Sequence, residues 1–315
     1  LSEILKSLWG KLYAWALPSA IALGSFWLFV LPQTQCCAGW AKGMFEGDKG
    51  LVFIAFTGAL AIALSSLSTT LYRVLEGYMW PASLQNWGVA RQQKKRARLE
   101  AAVRAEGGWQ RGIDLEKLAR YPLDERQIVP TKFGNAIRAF ETYGKTRFNL
   151  DSQTLWHELL AVTPKYIQEE IDSARSSVDF FVAFLYLSIA FGMACLILGI
   201  VEHLKIPLLL LSIPAFVLSV VFHWLAVRAI DAWSYPIHAL VNLGRSKLAE
   251  GLGLQLPAAL EDEKRMWGLV TKYAYHATSN YGCALDAFRK PLKEAERLET
   301  AEKEALIEAV KEAAE

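Results

Sequence analysis

The sequence predicts an all-α fold: a polytopic membrane helical bundle of four transmembrane helices with a helical cytoplasmic region. Three observations predict it. Apolar stretches at approximately 12–31, 51–71, 178–201 and 206–227 each reach about 20 residues, the length that crosses a bilayer core. None carries a charge near its centre, and a helix that is apolar all round belongs in lipid or deep inside a very large protein. A chain of 315 residues cannot bury four such helices in water. No period-two alternation persists, which leaves no strand to predict.

Taken in order, residues 1–80 form a first transmembrane hairpin. Its leading stretch is longer than a signal-peptide core and rich in aromatics (Trp15, Phe26, Trp27, Phe29), so it reads as a retained span. Residues 81–177 form a cytoplasmic helical segment. Pro81 ends the second span, Ser83 caps a helix to about Glu106, and Gly107-Gly108 breaks it. A short helical piece follows at Asp114–Arg120, then a loop at Tyr121–Thr131 containing Pro122 and Pro130. Phe133–Tyr143 and Ser152–Val162 are helical, the latter capped by Asp151 or Ser152. Thr163-Pro164 opens a helix that runs unbroken to Val201, roughly 55 Å at 1.5 Å per residue.

Residues 178–230 form the second transmembrane hairpin and 231–315 a set of cytoplasmic C-terminal helices. The fourth span continues past Trp233, with a kink expected near Pro236. From Pro291 the tail is a solvated Glu/Lys/Ala-rich helix.

Lysine and arginine set the orientation. The densest basic run, Arg91, Lys94, Lys95, Arg96 and Arg98, follows span two, and Arg228, Arg245 and Lys247 follow span four. Both termini and residues 81–177 are therefore expected inside, with short outer connections carrying Lys42, Lys49 and Lys205. Trp9, Trp40, Trp80 and Trp233 fit interfacial belts. The basic run lacks a companion nucleic-acid fold, so Arg91, Lys94, Lys95, Arg96 and Arg98 are read as contacts to anionic lipid head groups. The partners expected are the lipid bilayer, further copies of the chain in a homo-oligomer, and a cytoplasmic protein under the scaffold reading below. Nucleic acid is not among them.

Cys36, Cys37, Cys195 and Cys283 give no disulfide framework and no zinc spacing. In Trp156-His157-Glu158-Leu159-Leu160 the second histidine of a metalloprotease helix is replaced by Ala161. No catalytic residue, cofactor or metal site is assigned. The polar features lie in the membrane helices instead. Ser65, Ser66, Ser68, Thr69 and Thr70 precede Arg73 and Glu76 at the inner end of span two. Hydroxyls there line an aqueous path or serve helix packing, and Ala55, Ala59 and Ala63 form a small-residue stripe beside them. Arg73 and Glu76, three apart, are placed to pair. Arg175 and Asp179 open span three; His223, Arg228 and Asp231 close span four at matching depth. Pore-lining or vestibule candidates are thus Ser65, Ser66, Thr69, Arg73, Glu76, Asp179, His223 and Asp231.

The segment 130–164, PTKFGNAIRAFETYGKTRFNLDSQTLWHELLAVTP, resembles one in a family of uncharacterised bacterial multi-pass membrane proteins. Pro130, Thr131, Gly134, Asn135, Arg138, Glu141, Asp151, Trp156 and Pro164 carry it, with Leu71–Tyr78 resembling that family's end of span two. The resemblance implies a bacterial inner membrane and brings no activity. The order of spans is also similar to bestrophin-type anion channels, by topology alone. These features lead to the expectation of an oligomeric ion channel or pore with span two lining the path. A membrane-anchored scaffold or signalling component binding a cytoplasmic partner is the alternative.

Overall fold

The structure, a computed structural model, describes residues 12–34, 49–105, 107–202, 204–276 and 279–289. Among the described residues the fold is all-α, with no strand and a lone bridge between Leu254 and Arg289. Trp9, Trp40, Cys36, Cys37, Lys42 and the tail helix from Pro291 lie outside the described residues.

Among the described residues three helices are long and apolar enough to cross a membrane: Tyr13–Gln33, Lys165–Val201 and Ile206–Gly251. The first is built on α1 (Leu17–Ser25), prolonged by π-helical turns at Leu12–Ala16 and Phe26–Val30. The second apolar stretch is not the single straight helix expected. It consists of α2 (Lys49–Ser66) and α3 (Ser68–Glu76), bent by 54° at Leu67, a broken span or a re-entrant loop. Serine and threonine on both sides of Leu67 offer the backbone alternative hydrogen bonds, and such side chains bend helices. α3 stops at Gly77, ahead of Pro81, in a left-handed cap with φ 92° that favours glycine.

α4 (Ala82–Ala105) starts directly after Pro81, so Ser83 lies inside the helix rather than capping it. It packs on α5 (Gly108–Ala119), which begins earlier than the expected Asp114. The predicted loop holds one 3-10 turn at Glu125–Gln127. α6 (Lys132–Glu141) is followed by α7 (Tyr143–Phe148), a helix the sequence reading missed, closed by Asn149 at φ 58°. α8 (Trp156–Val162) is shorter than expected, because Asp151 accepts hydrogen bonds from the Gln153 and Thr154 backbone and holds a turn there. α9 (Lys165–Val201) is the continuous 37-residue helix expected. α10 (Ile206–Gly251) runs 46 residues through Pro214 and Pro236. α11 (Leu260–His276) and α12 (Ser279–Leu285) follow.

Contacts divide the chain into two units, Leu1–Phe140 with Lys165–Ile237, and Glu141–Pro164 with His238–Glu315. The boundaries fall inside the sequence segments 81–177 and 231–315, whereas 178–230 lies wholly in the first unit. In the first unit α9 packs on the first apolar helix, with Tyr13 stacked on Phe180 at 4.7 Å, and Trp27 meets Phe53 of α2 at 6.2 Å. α9 and α10 approach closely where Gly192, Cys195 and Gly199 share a face. A Cβ at Gly192 would lie 3.1 Å from Phe216, and one at Gly199 would lie 2.9 Å from Leu209. In the second unit Arg245 binds Glu263 at 2.8 Å while stacking over Phe148 at 4.3 Å. The fully buried Trp267 donates to the same Glu263 carboxylate, so this inward charge has two partners.

Candidate functional site

The break in the second apolar stretch organises the candidate site. Ala55, Ala59, Ile62, Ser66, Thr69 and Arg73 recur at spacings of three and four and are all exposed, so among the described residues one face of α2 and α3 is left uncovered. That face is small and apolar at one end and polar at the other. Ser65 is half-buried beside it. Arg73 is exposed. Glu76 is half-buried, with its backbone against α6.

The opposite face of α3 is tied to α9. The Tyr72 hydroxyl donates to the Asp179 carboxylate at 2.8 Å, and the Tyr186 hydroxyl donates to the Leu71 carbonyl at 2.8 Å. Asp179 is therefore a partner of Tyr72, a residue that the sequence reading passed over. Arg175, one turn earlier on α9, lies over Trp233 at 6.0 Å.

Asp231 is likewise engaged. Arg120 grips it with two nitrogens, Nε at 2.8 Å and Nη2 at 2.7 Å, in the planar fork geometry that makes arginine–carboxylate pairs strong. This bond holds the Arg120 guanidinium above its ordinary pKa range, with burial opposing it. The pair fixes the end of α5 to α10, and no local sequence signal links two residues so far apart. His223 is half-buried. Of the eight pore-lining or vestibule candidates, Asp179 and Asp231 thus have partners, whereas Ser66, Thr69 and Arg73 are exposed among the described residues.

The Gly134-Asn135 pair has a structural role. Asn135 is fully buried; its side chain accepts from the Val129 amide at 3.0 Å and donates to the Val129 and Thr131 carbonyls at 2.8 and 2.6 Å. Thr131 caps the first turn of α6 by accepting from the Gly134 amide at 2.9 Å. The turn so held presses Pro130 against both Gly77 and Gly88, where added Cβ atoms would lie 2.9 and 2.6 Å away. This clamp sets where α3 ends and α4 begins.

The basic run on α4 separates into different surroundings. Arg91, Lys94 and Arg98 are exposed. Arg96 is drawn inward by Glu100 at 3.0 Å and the Leu123 carbonyl at 3.1 Å. Lys95 is half-buried. Burial first, then the Lys132 amine and the charges of Lys132, Arg91 and Lys117, push Lys95 down to about 8. His157 and Glu158 are exposed, and among the described residues no cluster of His, Cys, Asp and Glu could hold a metal ion. No protein-family model matches the chain, and no curated protein and no solved structure matches it either.

Proposed function

We propose that this chain is one subunit of a symmetric homo-oligomeric ion channel or pore in a bacterial inner membrane. In this reading the broken helix α2–α3 counts as the fourth span, both termini are cytoplasmic, and α2–α3 lines the path. The observation that carries the reading is the open stripe ending in Ser66, Thr69 and Arg73. Hydroxyls and a guanidinium on an outward face of a membrane helix are costly against lipid and normally meet protein or water. A bend among them agrees, since irregular backbone at membrane depth is tolerated where it is buried in protein or lines a water-filled cavity. Four spans leave little room to seal a hydrated path within one subunit, and cyclic symmetry is the ordinary way for identical subunits to surround one.

The Ala55–Ala59 portion of the stripe then packs on the neighbouring subunit and the hydroxyl portion faces the axis. Ala59→Leu should break the assembly in mild detergent. Ser66→Leu should leave it intact and lower ion flux in liposomes severalfold. A protein that stays monomeric in nanodiscs and passes no ions would remove the pore. The scaffold reading would then lead, supported by Trp109 and Trp87, whose exposures of 78% and 58% offer a cytoplasmic partner an aromatic surface.

A further inference from the structure

Two exposed tryptophans each carry an arginine from one turn further along the same helix. Arg91 lies over the Trp87 ring at 5.3 Å on α4, and Arg228 lies over the Trp224 ring at 4.0 Å on α10. Both distances are inside the roughly 6 Å reach of a cation–π contact. All four residues are exposed. On α10 the pair ends an apolar stripe: Leu210, Ile213, Val217, Val220 and Trp224 recur at spacings of three and four, are exposed, and lead to Arg228. On α4 exposed Leu84 and Trp87 lead at the same spacings to exposed Arg91, Lys94 and Arg98. The carboxylate of α4, Glu100, is taken by Arg96 at 3.0 Å, so the outward stripe carries positive charge only. Packing ties the two places together. Pro130 presses on both Gly77 and Gly88, so α4 sets out from the end of α3. α5 packs on α4, and Arg120 at its end holds Asp231, three residues past Arg228.

We propose that Arg91 on Trp87 and Arg228 on Trp224 are two lipid head-group sites, each holding the phosphate of an anionic lipid. An indole is at home between head groups and acyl chains, and the end of a lipid-facing stripe puts it there. A guanidinium stacked on the ring keeps its N–H edge free, and that planar edge matches two phosphate oxygens. The ring also holds the side chain in place before the lipid arrives, which lowers the ordering cost of binding. The lipid source follows from the stripes. A free phosphate gains nothing from Leu84 or Val220, whereas the acyl chains of a lipid cover them. The sites rest on the membrane reading of α10 and require neither a pore nor an oligomer.

The test is thermal stabilisation of the full chain in neutral detergent, titrated with phosphatidylglycerol, with phosphatidylcholine, or with soluble glycerol phosphate. Phosphatidylglycerol should stabilise the wild type where the other two do not. Arg91→Gln/Arg228→Gln should melt with the wild type in detergent alone, both side chains being exposed, and should need about tenfold more phosphatidylglycerol for the same response. Trp87→Leu/Trp224→Leu keeps every charge and removes the rings, and it should need about threefold more. Lys94→Gln/Arg98→Gln removes as much charge from α4, with no aromatic residue one turn before either position, and should stay within about twofold of wild type. A micelle of neutral detergent has no extended anionic surface to attract those charges. An equal loss in the Lys94/Arg98 variant, or an unchanged response in the Arg91/Arg228 variant, would overturn the sites. A response to glycerol phosphate at matched concentration would overturn the lipid source. No response to phosphatidylglycerol would overturn the proposal and leave Trp87 to a protein partner. Because the binding is read without flux and without assembly, its failure is distinct from failure of the pore reading.

Discussion

Tyr72 and Asp179 show how much a single bond decides at the inner end of the apolar helices. Tyr72→Phe keeps the ring that packs on Phe133 and removes only the donor to a part-buried carboxylate. The expected loss in detergent-solubilised stability is about 1–3 kcal/mol, the cost of an acceptor left short of a partner. Tyr72→Phe with Asp179→Leu should lose less than the sum of the two, and strict additivity in that cycle would show that the pair does not interact. Lys95 makes a prediction of opposite kind. Its folded-state value of about 8 lies below the ordinary 10.5, so the unfolded chain binds the proton more tightly. The penalty is present in full below about pH 8 and fades towards pH 10.5, hence stability should rise with pH across that window. Lys95→Met should flatten this slope, as a melting series from pH 7.5 to 10 in phosphate-free buffer would record. Ser66, Thr69 and Arg73 were legible as a polar face because they are near in sequence and follow the helical period. Tyr72 and Arg120 were not, since their partners are set by packing between distant helices.

At the scale of elements, the long helix Lys165–Val201 was legible to the residue because nothing in it interrupts helical propensity and a proline precedes it. The bend at Leu67 was not. Composition alone marks 51–71 as apolar enough to span and carries no sign of the 54° break within it. The α9–α10 contact also escaped notice, because Gly192, Cys195 and Gly199 are unremarkable until a facing helix supplies Phe216 and Leu209. Gly192→Val should therefore destabilise the fold by about 1–3 kcal/mol, the usual cost of overpacking a close contact. A variant that melts with the wild type would show that the helices separate at this point without cost.

For the whole molecule, the sharpest prediction is orientation. In a chain cleared of its native cysteines, a cysteine at residue 42 should react with an impermeant reagent on intact cells, and one at the exposed position 98 should not. The reverse labelling would overturn the proposed topology and the reading of the basic run with it. The sequence by itself determined the all-α class, the apolar helices long enough to cross a bilayer, and a charge distribution that implies sidedness. These follow from hydropathy, helical period and basic residues, each of which acts locally along the chain. The tertiary structure alone decided that the second apolar stretch is bent, and that Asp179 and Asp231 are held by Tyr72 and Arg120 of other helices. It decided these because hydrogen bonds and ion pairs form between elements brought together by packing, and the pattern within one element does not say which other element it will face.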